Sequence, residues 1–152
     1  MNYDALLDEA YQEGLIVKEK PLKYNNGRIK GNRIAIRQDI ETNTEKTCIL
    51  AEELGHHYTS VGNILDMDDI RNRKQERQAR LWGYNKLIGL SGIINAFRAG
   101  CHNRHEIAER LDVTEEYLQE CIDCYREKYG VCTEIDNYII YLIPNLAVME
   151  KV

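Results

Sequence analysis

Apolar residues recur at spacings of three and four from the start of the chain: Leu6, Leu7, Ala10 and Tyr11 mark a helix over residues 3–15, and Gly14 supplies its stop. From Val17 to Ile40 the period shortens. β-prone pieces around Leu22, Ile29 and Ile34-Ala35-Ile36 are separated by Asn25-Asn26-Gly27 and Gly31-Asn32, both tight-turn sequences, which predicts a small antiparallel meander. Thr42-Asn43-Thr44 then offers N-cap side chains, and Thr44 to Thr59 reads as a helix whose buried side carries Cys48, Ile49, Ala51, Leu54 and Gly55. An acidic stretch at Asp66, Asp68 and Asp69 precedes a longer helix from Asn72 to Leu87, with Ala79, Trp82, Gly83 and Leu87 at helical spacing.

Helical patterns continue over Ser91–Ala99, Arg104–Leu111 and Thr114–Tyr129, broken at Gly100 and at Asp112-Val113. The tight turn between the last two resembles that of a helix-turn-helix. A final β-prone run, Tyr138 to Ile143, stops at Pro144 and is expected to join the meander as an added strand. Helices and one small antiparallel sheet together predict an α+β fold.

Composition narrows the class. A chain of 152 residues, 43% hydrophobic and 30% charged, is the size and polarity of one globular domain. The formal net charge of −5 gives no chain-wide attraction for phosphate, so any basic patch would be local. The opening residues lack the basic start and apolar run of an export signal, and no segment approaches about 18 uninterrupted apolar residues, so a cytoplasmic protein is expected, without membrane contact. Five irregularly spaced cysteines fit reduced thiols in packing roles.

The chemistry concentrates on one helix. Residues four apart share a face, so Glu52 and His56 point one way, while Glu53 and His57 point about 100° away. A zinc hydrolase needs three protein ligands, an open position for water, and a carboxylate to take that water's proton. The usual helical solution is His-Glu-x-x-His with a third ligand from a later helix. Here Glu52-Glu53-Leu54-Gly55-His56 keeps the Glu and the second His but has a glutamate where the first His belongs. Carboxylate oxygen is an accepted zinc ligand, and with Glu76 from the next helix the set Glu52, His56 and Glu76 would balance the charge of Zn²⁺. Two features argue against a merely solvated face. The lead-in Cys48-Ile49-Leu50-Ala51 is apolar, and Gly55 costs a helix interior about 1 kcal/mol against Ala unless another element must approach it closely. The opposite register, with Glu53 and His57 as ligands, leaves no comparable base on the same helix.

Leu50-Ala51-Glu52-Glu53-Leu54-Gly55-His56-His57, followed by Glu76-Arg77-Gln78-Ala79-Arg80-Leu81-Trp82-Gly83, resembles the phage- and mobile-element-associated metallopeptidases of the ImmA/IrrE family. The resemblance implies a zincin-like single domain over residues 1–152: a metal-site core at 1–88, a helix-turn-helix-like part at 89–130, and a C-terminal strand and tail at 131–152. It implies His56 as the second histidine ligand, Glu76 as the third ligand and Glu53 as the catalytic base, with Glu52 standing in the first ligand's place. His57 is left either to support the site by hydrogen bonding or to lie beside it as a bystander. It further implies a zinc-dependent endopeptidase that cleaves a partner protein, a helix-turn-helix repressor of a phage or mobile element, with the substrate strand paired to the sheet edge. The alternatives are a catalytically silent relative that binds the repressor, and a DNA-binding regulator.

Two other constellations imitate sites. His105 and Glu109 lie four apart on an amphipathic helix, and Cys121-Ile122-Asp123-Cys124 lies within a continuous one; both read as packing or surface patterns. Residues 102–130 hold eight acidic side chains against four Lys or Arg, and Thr114-Glu115-Glu116 opens what would be the recognition helix. A groove-reading helix should present Arg, Lys, Asn or Gln there, so DNA binding by this section is not expected.

Overall fold

The computed structural model describes residues 1–59 and 70–152; the acidic stretch read at Asp66, Asp68 and Asp69 lies outside them. Those residues form two units, Met1–Lys86 and Leu87–Val152. Among them are six helices and two three-stranded sheets, an α+β architecture. None of the described helices is long and apolar enough to cross a membrane.

In the first unit, α1 (Tyr3–Gln12) is capped by Asn2, whose side chain accepts from the Ala5 N–H at 2.8 Å. It ends in a Schellman turn: Gly14, at φ +81°, donates to the Tyr11 carbonyl, and Leu15 donates to that of Ala10. Strands β1 (Ile16–Lys20), β2 (Gly27–Lys30) and β3 (Arg33–Arg37) follow. Gly31-Asn32 makes the expected tight turn between β2 and β3. The expected antiparallel meander is otherwise corrected: the order is β1-β3-β2, and β1 runs parallel to β3. Hydrophobicity explains that order. Ile34 and Ile36, at 2% and 0% exposure, are the only sheet side chains fully enclosed here, so the strand bearing both takes the centre.

Helix α2 (Asn43–Thr59) starts where Thr42 Oγ1 accepts from the Glu45 N–H at 3.1 Å. Thr47, Leu50, Ala51 and Leu54 are buried toward β2, β3 and α1, fixing the rotation of the helix and so the direction of Glu52, Glu53 and His56. Helix α3 (Ile70–Leu87) matches the predicted one within two residues.

The second unit begins with α4 (Gly89–Arg98), α5 (Arg104–Leu111) and α6 (Glu115–Tyr129), close to their predicted bounds. Asp112 takes the left-handed conformation at φ 56°, Val113 is buried, and Thr114 caps α6 by accepting from the Tyr117 N–H at 3.0 Å. The final β-prone run does not join the first sheet. It is β5 (Tyr138–Tyr141), central in an antiparallel sheet between β4 (Cys132–Ile135) and β6 (Ala147–Glu150). The two-residue turn Asp136-Asn137 closes β4 onto β5 at far lower loop entropy than pairing with residues about a hundred positions earlier.

Candidate metal centre

The site is assembled by a close approach of two helix backbones. A Cβ built on Gly55 would overlap the Ala79 carbonyl oxygen and sit 2.8 Å from the Ala79 carbonyl carbon and 3.1 Å from its Cα. No side chain fits there, which is the reason for a glycine in the middle of α2. Gly55 precedes His56 by one residue, and Ala79 follows Glu76 by one turn, so the contact brings those two side chains together. His56 Nε2 lies 3.2 Å from Glu76 Oε2, with both side chains largely buried.

Glu52 completes the group: one ligand atom each from Glu52, His56 and Glu76 lies within 4.8 Å of the others, the one such trio among the described residues. A tetrahedral ion with bonds near 2.1 Å spaces its ligands about 3.4 Å apart, so His56 and Glu76 already stand at ligand spacing, and Glu52 closes the remainder by a side-chain rotation. One imidazole and two carboxylates form a donor set that zinc accepts, with a total charge that offsets the ion. The residues present fit a divalent metal.

Electrostatics bind the group into one unit. A hydrogen bond to Glu76 raises the pKa of His56 against the opposing effect of burial, and the same bond lowers that of Glu76. Burial raises the pKa of Glu52, Arg80 pulls it back in part, and a hydrogen bond shared with Glu76 raises it further. Glu53 is 9% exposed, and burial pushes it up to about 7 against the opposing field of His56. Glu53 therefore sits beside the trio, off the ligand face, as a carboxyl whose proton affinity falls in the neutral range.

Two residues of the site went unread in the sequence. Arg80 Nε lies 3.3 Å from Glu76 Oε1 and 3.6 Å from Glu52 Oε1, a cation between two prospective ligands. Its signal was available as Glu-x-x-x-Arg on one helix face. Gly27, a turn residue by its sequence context, instead opens β2, where a Cβ would stand 2.8 Å from Ile49 Cγ2 and 3.0 Å from Glu53 Cγ and Oε1. The bare backbone there gives Glu53 its room. His57 is exposed and packs edge-on against Tyr58, ring centroids 4.8 Å apart, while Tyr58 stacks on Trp82.

The two imitations lead elsewhere. His105 pairs with Glu109 and Glu115 at 3.5 Å on an exposed surface, and Cys121 and Cys124 lie on α6, the first buried and the second half-buried.

A buried carboxyl beside a His and two carboxylates within 4.8 Å of one another is the constellation of a metal-dependent hydrolase. Consistent with that class, the family model described as the IrrE N-terminal-like domain, a peptidase family, matches residues 1–122. The chain belongs to this metallopeptidase family. The match takes in α2, α3 and every residue of the site, and leaves β4 to β6 outside it. No curated protein and no solved structure shows significant similarity to the chain.

Proposed function

We infer that the chain is a zinc-dependent endopeptidase of zincin-like design acting on a regulatory protein, a helix-turn-helix repressor of a phage or mobile element. The observation that carries this reading is the convergence of Glu52, His56 and Glu76 within 4.8 Å beside buried Glu53. His56, Glu76 and Glu52 would hold the ion. When bound, a divalent cation supplies Lewis-acid polarisation of the scissile carbonyl and a lowered pKa for the attacking water. Glu53 takes the proton from that water and delivers it to the departing nitrogen. A carboxyl poised near neutrality serves both directions of transfer, and the cation's field would shift it below its metal-free value. Gly27 holds the neighbouring backbone clear of Glu53, and Gly55 fixes Glu76 against His56.

One observation favours a second reading. Arg80 already contacts Glu52 and Glu76, so the carboxylates have a cationic partner without any metal. On that reading the chain is a silent relative that binds the repressor uncut. The deciding experiment measures metal content and zinc binding of the purified protein, then cleavage of the helix-turn-helix protein encoded nearest to it, with Glu53→Gln as control. One equivalent of zinc, and cleavage lost in Glu53→Gln with zinc retained, support the peptidase. A protein that takes up no zinc, or a Glu53→Gln variant that cuts at the wild-type rate, refutes it.

A further inference from the structure

The face of the first sheet that points away from α2 carries an array of cations. Ile34 and Ile36 are buried on the inner side, so the alternating positions point outward. With the observed register these include Lys18 and Lys20 on β1, Arg28 and Lys30 on β2, and Arg33 and Arg37 on β3. No acidic residue of the three strands shares the face: Glu19 is turned the other way, toward Lys46 of α2 at 2.6 Å. Arg37 pairs with Asp39 at 2.6 Å, and the other five cations have no ion-pair partner among the described residues. The register makes matters worse for folding, since Lys20 stands opposite Arg37 and Lys30 opposite Arg33. Like charges directly opposed across strands destabilise a sheet. A chain of formal net charge −5 has ample acid to relieve this repulsion, yet sets only Asp39, at one end of the face, against it among the described residues.

We propose that this face binds the phosphate backbone of nucleic acid. The argument is one of complementary chemistry. Lys and Arg side chains are donors without acceptors, so the matching ligand presents acceptors alone, as phosphodiester oxygens do. Peptides dock on sheet edges, where main-chain hydrogen bonds hold them, and a sheet face offers an acidic peptide no such bonds. Between Lys18 and Arg28 the small Ala35 leaves a hollow of about 220 Å³, below the range of small-molecule pockets and lined on all three strands by the cations Lys18, Lys20, Arg28, Lys30 and Arg33. Ile16 is the exposed apolar residue lining it, and no aromatic side chain lines it for stacking of bases. Binding follows phosphate density, so a duplex is held more tightly than a single strand of the same length. The surface is distinct from α5 and α6, and the inference does not rest on peptidase activity.

Fluorescence anisotropy with a labelled duplex, its single strand and the matching RNA, at sodium chloride from 50 to 200 mM, tests it. The expected dissociation constant is on the order of 10⁻⁶ to 10⁻⁴ M at physiological salt, with a slope of log K on log salt of about −3 to −5 for three to five phosphates neutralised. Lys18→Glu with Arg28→Glu should weaken binding more than tenfold and flatten the slope by about 2. Lys30→Gln separates binding from folding: relief of the contact with Arg33 should leave the melting temperature equal or higher while affinity falls. Arg104→Glu with Arg110→Glu, on α5, should change nothing. No binding at 50 mM salt would overturn the proposal. So would binding lost in the α5 variant and kept in the sheet variant, or tighter capture of polyglutamate or anionic phospholipid vesicles that nucleic acid does not displace.

Discussion

Gly55→Ala tests how the site is held together, because the same substitution at another helical glycine should act in the opposite direction. In an unobstructed helix interior, Gly to Ala stabilises by about 1 kcal/mol. Gly92 of α4 is such a position: a Cβ there meets Leu111 Cδ2 at 3.5 Å, an ordinary contact, so Gly92→Ala should gain about 0.5–1 kcal/mol. At Gly55 the added methyl falls 2.8 Å from the Ala79 carbonyl carbon, where nonbonded carbons rest at about 3.5–4.0 Å. Backbone cannot rotate aside as a side chain can, so α2 and α3 must separate by about 1 Å. Overpacking of this kind costs about 1–3 kcal/mol, and the contact with backbone puts Gly55 at the upper end, so against the propensity gain of about 1 kcal/mol a net loss of about 1–2 kcal/mol is expected. The same displacement moves Glu76 from His56 by several times the roughly 0.2 Å that metal-ligand distances tolerate, so zinc affinity should fall more than tenfold. Urea denaturation followed by circular dichroism reads the first effect, and isothermal titration with zinc reads the second. A Gly55→Ala protein as stable as wild type, with its zinc affinity intact, would refute the backbone contact and the positioning role assigned to it.

Three further outcomes follow from the site. Glu53→Gln should remove the pH dependence that a raised carboxyl pKa imposes on the metal-free protein. The native state binds that proton more tightly than the unfolded chain, so its contribution is full below about pH 4.5 and is lost as pH rises through about 7; the difference is at most about 3 kcal/mol, read as wild-type minus variant stability at pH 5 and pH 8. Arg80→Gln frees Glu52 and Glu76 from a half-exposed competing cation and should tighten zinc binding roughly two- to fivefold by titration; weaker binding would mean that Arg80 organises the ligands instead. Zinc at a hundred times its dissociation constant should stabilise the folded chain by about 2.7 kcal/mol, a rise in melting temperature that a chelator reverses and His56→Ala abolishes.

What could be read in the sequence divides along the range of the interactions involved. The face shared by Glu52 and His56 follows from helical period alone, and Gly55 announced a close approach before its partner, the Ala79 carbonyl, was known. Helices α4 to α6 were likewise bounded by local signals, Gly100, Asp112 and Thr114. Strand order was not legible. It depends on which segment buries most, and Ile34 and Ile36 win the centre only when α2 is in place above them. The flanking strands Cys132–Ile135 and Ala147–Glu150 are four residues each, too short for an alternating pattern to show, so nothing local marks the partners that β5 takes. Gly27 was hidden behind Asn25-Asn26, whose turn chemistry explained it away.

The cationic face shows the same limit in electrostatic form. Lys18, Lys20, Arg28, Lys30, Arg33 and Arg37 are spread over twenty positions among other charges, and a net charge of −5 averages them out of sight. Register is what gathers them, by setting Lys30 against Arg33 and Lys20 against Arg37 on one side of the sheet. An overall charge therefore bounds long-range steering by the whole molecule and says little about a single surface. The same reasoning applies to the metal centre. As a string of residues, Glu52 in place of histidine is a defect in a motif. In the fold it is a half-exposed carboxylate poised between Arg80 and a His56–Glu76 pair at ligand spacing, and the outcome turns on whether a divalent ion or the guanidinium holds it more strongly. Arg80 is 55% exposed, so water screens its hold on Glu52 and weakens it to about 1 kcal/mol or less, whereas a divalent ion would engage the buried His56 and Glu76 as well. That imbalance favours the metal.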